Sequence, residues 1–68
     1  MTYQQVKAAA ESCFASKFVL VIRLDDDNDN AFCVYVGRAC NEAYAPVKVN
    51  GSIGFKEVDP NTGKAKDT

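Results

Sequence analysis

Apolar residues recur at helical spacing near the start of the chain. Tyr3, Val6, Ala10, Cys13 and Phe14 stand at i, i+3, i+7, i+10 and i+11, which is one face of a helix. The pattern predicts an amphipathic helix over residues 3 to 16. Thr2 occupies its N-cap and Gln5 follows three residues later, the spacing of a capping box. Lys7, Glu11 and Ser12 fall off the apolar stripe. From Lys17 to Leu24 the period changes to that of a strand rich in β-formers. Phe18, Leu20, Ile22 and Leu24 share one face; Val19, Val21 and Arg23 share the other. With both faces largely apolar, the expectation is a central strand covered at least partly on each side.

Ala31 to Val36 alternates in the same way and predicts a second strand, with Phe32, Val34 and Val36 on one face and Cys33 and Tyr35 on the other. The short polar run between the two strands makes an antiparallel hairpin the simplest connection. Gly37 ends the second strand. Arg38 to Ala45 is expected to form a short helix or turn that Pro46 stops. Val47 to Val58 predicts a second hairpin around Asn50-Gly51, a strong turn signal. A two-residue turn there would set Val47 and Val49 on the face opposite Ile53 and Phe55. A three-residue loop would gather all four, and because register follows the buried face the longer loop is expected. Asp59 to Gly63 is turn chemistry, and Lys64 to Thr68 is expected to fray.

These elements predict an α+β fold: one N-terminal helix packed on a mostly antiparallel sheet of about four strands, with a short helix or turn between two hairpins. Residues 1 to 58 are expected to form a single compact domain and residues 59 to 68 a turn and flexible C-terminal tail. No internal repeat is visible.

Composition narrows the function classes. The chain has 68 residues, 47% hydrophobic and 25% charged, as in ordinary globular domains. Eight Lys and Arg oppose nine Asp and Glu. That balance argues against nucleic-acid binding driven by bulk positive charge. No apolar run reaches the roughly 20 residues of a membrane helix. The N-terminal residues carry no basic segment ahead of an apolar stretch, so no secretion signal is expected. Cys13, Cys33 and Cys40 are an odd set without CxxC spacing and are expected to be reduced thiols in a cytoplasmic protein. The absence of His removes Ser-His and Cys-His nucleophile pairs, and no phosphate-binding glycine motif is present. A non-enzymatic protein without a cofactor is therefore expected.

The candidate chemistry is concentrated at Asp25-Asp26-Asp27-Asn28-Asp29-Asn30. Asp25, Asp27 and Asp29 match the first three ligand positions of an EF-hand loop. The match breaks at Asn30, where Gly belongs, and at Val36, where a bidentate Glu belongs. A weak Ca²⁺ site on the hairpin loop is the remaining metal reading. A second alternative is a sheet that binds single-stranded nucleic acid through Arg23 and Tyr35 on one face. A third is an acidic decoy: Asp25, Asp26, Asp27 and Asp29 imitate successive phosphates and dock on a partner's Lys and Arg, with Glu42, Glu57 and Asp59 widening the patch if the fold brings them close. The plain alternative is a solvated turn whose charges also guard the flanking apolar strands against aggregation.

In length, lack of a catalytic motif and the acidic run "DDDNDN", the chain resembles the small phage-encoded anti-CRISPR proteins. The resemblance is one of type over the whole chain and transfers no residue role. It implies a cytoplasmic inhibitor, acting inside a bacterial host, that binds a nucleic-acid-handling protein complex such as a type I CRISPR effector. An acidic surface that mimics DNA would make the contact. Direct nucleic-acid binding is not expected.

Overall fold

The computed structural model describes residues 1–27, 30–59, 61–62 and 64–65. Its elements run α1 (Tyr3–Cys13), β1 (Val19–Arg23), β2 (Phe32–Val36), β3 (Glu42–Val49) and β4 (Ser52–Val58). The strands form one antiparallel sheet in the order β1-β2-β3-β4. The α+β class read from the sequence is the observed one.

α1 begins as its cap residues dictate. The Thr2 hydroxyl accepts from the Gln5 backbone N–H at 3.2 Å, and the Gln5 side-chain oxygen accepts from the Thr2 N–H at 2.9 Å. The helix stops three residues short of the predicted end. Phe14 caps it in a non-helical conformation, its N–H still bonded to the Ala10 carbonyl. Cys13, predicted on the apolar stripe, is exposed in the last turn.

The core lies between α1 and one face of the sheet. Val6 and Ala10 of the helix meet Val21, Phe32, Val34 and Val36, with Tyr3, Phe14, Val19, Tyr44 and Phe55 packed around them. Val6, Val34 and Val36 are fully buried; each contributes on the order of 2 kcal/mol. The Arg23 guanidinium lies 5.4 Å from the centre of the Phe32 ring, a cation–π contact at the margin of this core.

The expectation of a central first strand is corrected. β1 is an edge strand, and the face that carries Phe18, Leu20, Ile22 and Leu24 is open: these side chains are 63, 47, 39 and 63% exposed. The reason is arithmetic of layers. One helix covers one sheet face, and no second layer exists among the described residues. The outer rim of β1 is partly blunted, because the Tyr3 hydroxyl donates to the Val21 carbonyl at 3.4 Å.

Residues 38 to 45 also differ from expectation. Gly37 to Cys40 makes a tight turn closed by the Cys40 N–H on the Gly37 carbonyl, with both residues at positive φ, and β3 begins at Glu42. Pro46 does not stop the element but lies inside β3, paired with Phe55 of β4. Its missing N–H falls on the side toward β2, and the β2–β3 ladder ends just before it, at Val34↔Tyr44. Beyond that point β3 and β4 continue as a two-stranded arm.

The arm closes with the two-residue turn, not the expected three-residue loop. Asn50 and Gly51 both have positive φ, 51° and 84°, and the register is Val49↔Ser52 and Val47↔Gly54. This is type I′ geometry, matched to the twist of the strands. The four apolar residues are therefore divided: Phe55 turns to the helix side and packs on the core, while Val47 and Val49 lie on the open side. Gly54 accommodates them, since a Cβ there would meet the Val49 Cγ2 at 3.1 Å. In the predicted tail, Ala65 bridges back to Val58 and the Lys64 carbonyl accepts from the Asp59 N–H at 2.8 Å. Residues 66–68 lie outside the described residues.

Candidate functional site

The acidic run connects β1 to β2, as the sequence pattern predicts. The ladder continues one step past β1, where the Leu24 N–H donates to the Ala31 carbonyl at 2.8 Å. Asp25 then accepts the Asp27 backbone N–H on its Oδ1 at 2.9 Å, an Asx turn. Asp25, Asp26 and Asp27 are all exposed. None of the three is in an ion pair among the described residues. Asn30 closes the loop and accepts from the N-terminal ammonium of Met1 at 3.0 Å. Asn28 and Asp29 fall outside the described residues, so the candidate role of Asp29 rests on its place in the sequence.

The other three acidic candidates are not brought to this tip. Glu42 pairs with Val36, which pairs with Val19, so it stands at the opposite end of β1 from Asp25. Six strand residues separate those levels, about 20 Å. Glu57 lies opposite Tyr44 on β4, at the far edge of the sheet, and Asp59 follows just beyond β4. The wider acidic patch does not form.

Glu42 instead organises a small polar cluster. It bonds the Lys17 ammonium at 3.1 and 3.4 Å and accepts the Tyr44 hydroxyl at 3.2 Å. The hydrogen bond to Glu42, and its charge, raise the pKa of Lys17 above its ordinary value. Burial and then the same carboxylate raise that of Tyr44. Asp59 is occupied locally, its Oδ1 accepting the Asn61 N–H at 2.8 Å.

Arg23 and Tyr35 do not share a face. Arg23 pairs with Phe32 on the helix side, whereas Tyr35 pairs with Leu20 and Ala43 on the open side. The platform needed for stacking single-stranded bases next to a cation is therefore not assembled from these two residues. No group of three metal-binding side chains is gathered among the described residues, which also enclose no cavity. The three cysteines are unpaired: Cys13 is exposed, Cys33 and Cys40 half-buried.

The feature that sequence reasoning missed is the open apolar face. Its signal was present: a strand apolar on both sides, in a chain with one long helix, leaves one side without a cover. No family model matches this chain, and comparison with curated proteins and with solved structures finds no match either.

Proposed function

We propose that this chain is a small non-enzymatic interaction protein that inhibits or modulates a nucleic-acid-handling complex by occupying a basic surface on it. The observation that carries the reading is the hairpin tip. Asp25, Asp26 and Asp27 are all exposed on a turn held by the Asp25–Asp27 bond and the Leu24–Ala31 ladder step. Three carboxylates without a cation among the described residues present acceptors of the kind that Lys and Arg recognise on phosphates. The Asx turn lowers the entropy lost when the tip docks.

The specific partner that the resemblance of type suggests is a type I CRISPR effector complex, whose DNA-binding surface is basic. The test is displacement of fluorescent duplex DNA from such a complex by the protein. Asp→Asn at positions 25, 26, 27 and 29 together is expected to weaken binding and to flatten its dependence on salt. Full inhibition by the neutralised variant would remove the acidic tip from the mechanism. A wild-type chain that leaves the DNA bound would remove the CRISPR effector as the target.

A further inference from the structure

The sheet face turned away from α1 is closed at its β3–β4 end, where Ala43 and Val58 are buried, and uncovered along β1. Phe18, Leu20, Ile22 and Leu24 line it along β1, and Val49 extends it on β3, 52% exposed. At roughly 200 Å² for each fully exposed large side chain, their fractional exposures amount to about 500 Å² of uncovered surface. Half-buried Cys33, Tyr35 and Val47 share the same face and bridge the two strands. A patch of this size is at the upper end of what monomers leave in water.

We propose that a second copy of this chain covers the face, giving a two-fold dimer in which two sheets stack between two outer helices. Three observations select this occupant. First, the area fits. A standard interface takes about 800 Å² from each partner, around a tenth of a small protein's surface. Against 4771 Å² of total surface, the patch of about 500 Å² is close to that tenth. Second, the charge fits. In a two-fold interface the same patch meets itself, so a charged face would repel its copy. Among the strand positions on this face Lys56, at the far edge on β4, is the charged one. The acidic tip lies beyond Leu24, off the end of β1. Third, the competing mode is hindered. In β1 the residues bonded to β2 are the even-numbered ones, as the Gly37–Phe18 and Leu24–Ala31 bonds fix, so Val19, Val21 and Arg23 direct their backbone groups outward. Tyr3 already occupies the Val21 carbonyl on that rim. Stacking of faces, at the usual spacing of about 10 Å between sheets, needs no such group to be freed. The dimer is independent of the acidic tips, which it would display twice.

The experiment is sedimentation equilibrium of the full chain across a concentration series, with amide hydrogen exchange on the same samples. The wild type is expected to be dimeric. Leu20→Arg with Ile22→Arg is expected to weaken dimerisation on the order of 100-fold or more. Both positions are exposed in the monomer, so helix and sheet content by circular dichroism should be unchanged. Leu24→Lys alone, at one of the two most exposed apolar positions of the patch, is expected to act in the same direction and serves if the double variant misfolds. The Val19 amide, which faces away from β2, should exchange freely in the dimer. A chain that stays monomeric up to about 1 mM overturns the proposal, whatever other protein binds the face. So does a dimer that survives Leu24→Lys and the double variant, or one that protects the Val19 amide and thus pairs by its edges.

Discussion

The ring of Phe14 lies 5.4 Å from that of Phe55, the two planes tilted by 58°. Tyr44 approaches the same Phe14 ring at 4.9 Å. Phe14 is the residue that ends α1, and Phe55 belongs to the arm that outruns the β2–β3 ladder. This aromatic cluster ties the arm to the body of the protein where backbone pairing to β2 has stopped. Phe55→Ala is expected to cost about 2–3 kcal/mol, below the range for a fully buried Phe because the ring is half-buried. Urea unfolding measures the loss. A double-mutant cycle with Phe14→Leu and Phe55→Leu should return a coupling of about 0.5–1.5 kcal/mol. A coupling of zero would mean that the arm is held by its own hairpin alone.

Gly51 and Gly37 both have positive φ, but their surroundings differ. A Cβ at Gly51 meets nothing within 4 Å, whereas one at Gly37 would meet the Asn41 side-chain oxygen at 2.9 Å. Gly51→Ala therefore isolates the conformational cost of a left-handed residue, about 1–2 kcal/mol. Gly37→Ala adds the contact with Asn41. The midpoint of urea unfolding should fall for both variants, and further for Gly37→Ala. Removing the contact with Asn41→Ala should bring Gly37→Ala closer to Gly51→Ala.

What could be read in the sequence follows from how local each determinant is. The capping box at Thr2 and Gln5, the helical stripe of Val6 and Ala10, and the alternation in β1 and β2 are properties of short windows, and each forms as patterned. The fate of Pro46 was not local. Whether a strand tolerates proline depends on which neighbour its N–H would face, and that is set by where the β2–β3 ladder ends. The Asn50-Gly51 register departs from the expected one for a related reason. Gathering Val47, Val49, Ile53 and Phe55 on one face assumes one core, but the type I′ preference of Asn-Gly divides them between two faces. The acidic run was legible as a hairpin tip. Its separation from Glu42, Glu57 and Asp59 became visible only with the strand order.

Tyr44 provides a test of the cluster around Glu42. Burial disfavours its phenolate, and the hydrogen bond it donates to Glu42 favours the protonated form further, so its pKa lies above the ordinary 10.0. A folded-state pKa above the unfolded one contributes stability that is complete below the unfolded value. That contribution is lost as pH rises through the folded value. The ultraviolet absorbance of tyrosinate should thus show a late component, which Tyr44→Phe removes and Glu42→Gln moves toward lower pH. Lys17, whose pKa Glu42 also raises, loses its charge over the same alkaline side. Stability of the wild type should therefore begin to fall in the range in which a free tyrosine ionises, and go on falling until Tyr44 itself has titrated. A Tyr44 that titrates normally would show that its bond to Glu42 is not maintained in solution.

Thr2 anchors the start of a helix that has two fully buried side chains, Val6 and Ala10, with which to hold itself to the sheet. Eleven residues make a helix that is marginal in isolation, so its ends carry weight. Thr2→Ala removes the acceptor for the Gln5 N–H and should cost about 1 kcal/mol. Thr2→Asp keeps an acceptor and places a negative charge at the positive end of the helix dipole. The first turn of α1 contains no acidic residue, so nothing there opposes that charge. Thr2→Asp is expected to match or exceed the wild type in thermal midpoint, and Thr2→Ala to fall below it. Gln5→Ala, which leaves the Thr2 hydroxyl bond in place but removes its reciprocal, should fall between Thr2→Ala and the wild type. An unchanged midpoint in Thr2→Ala would show that docking of Val6 and Ala10 holds the helix without its cap.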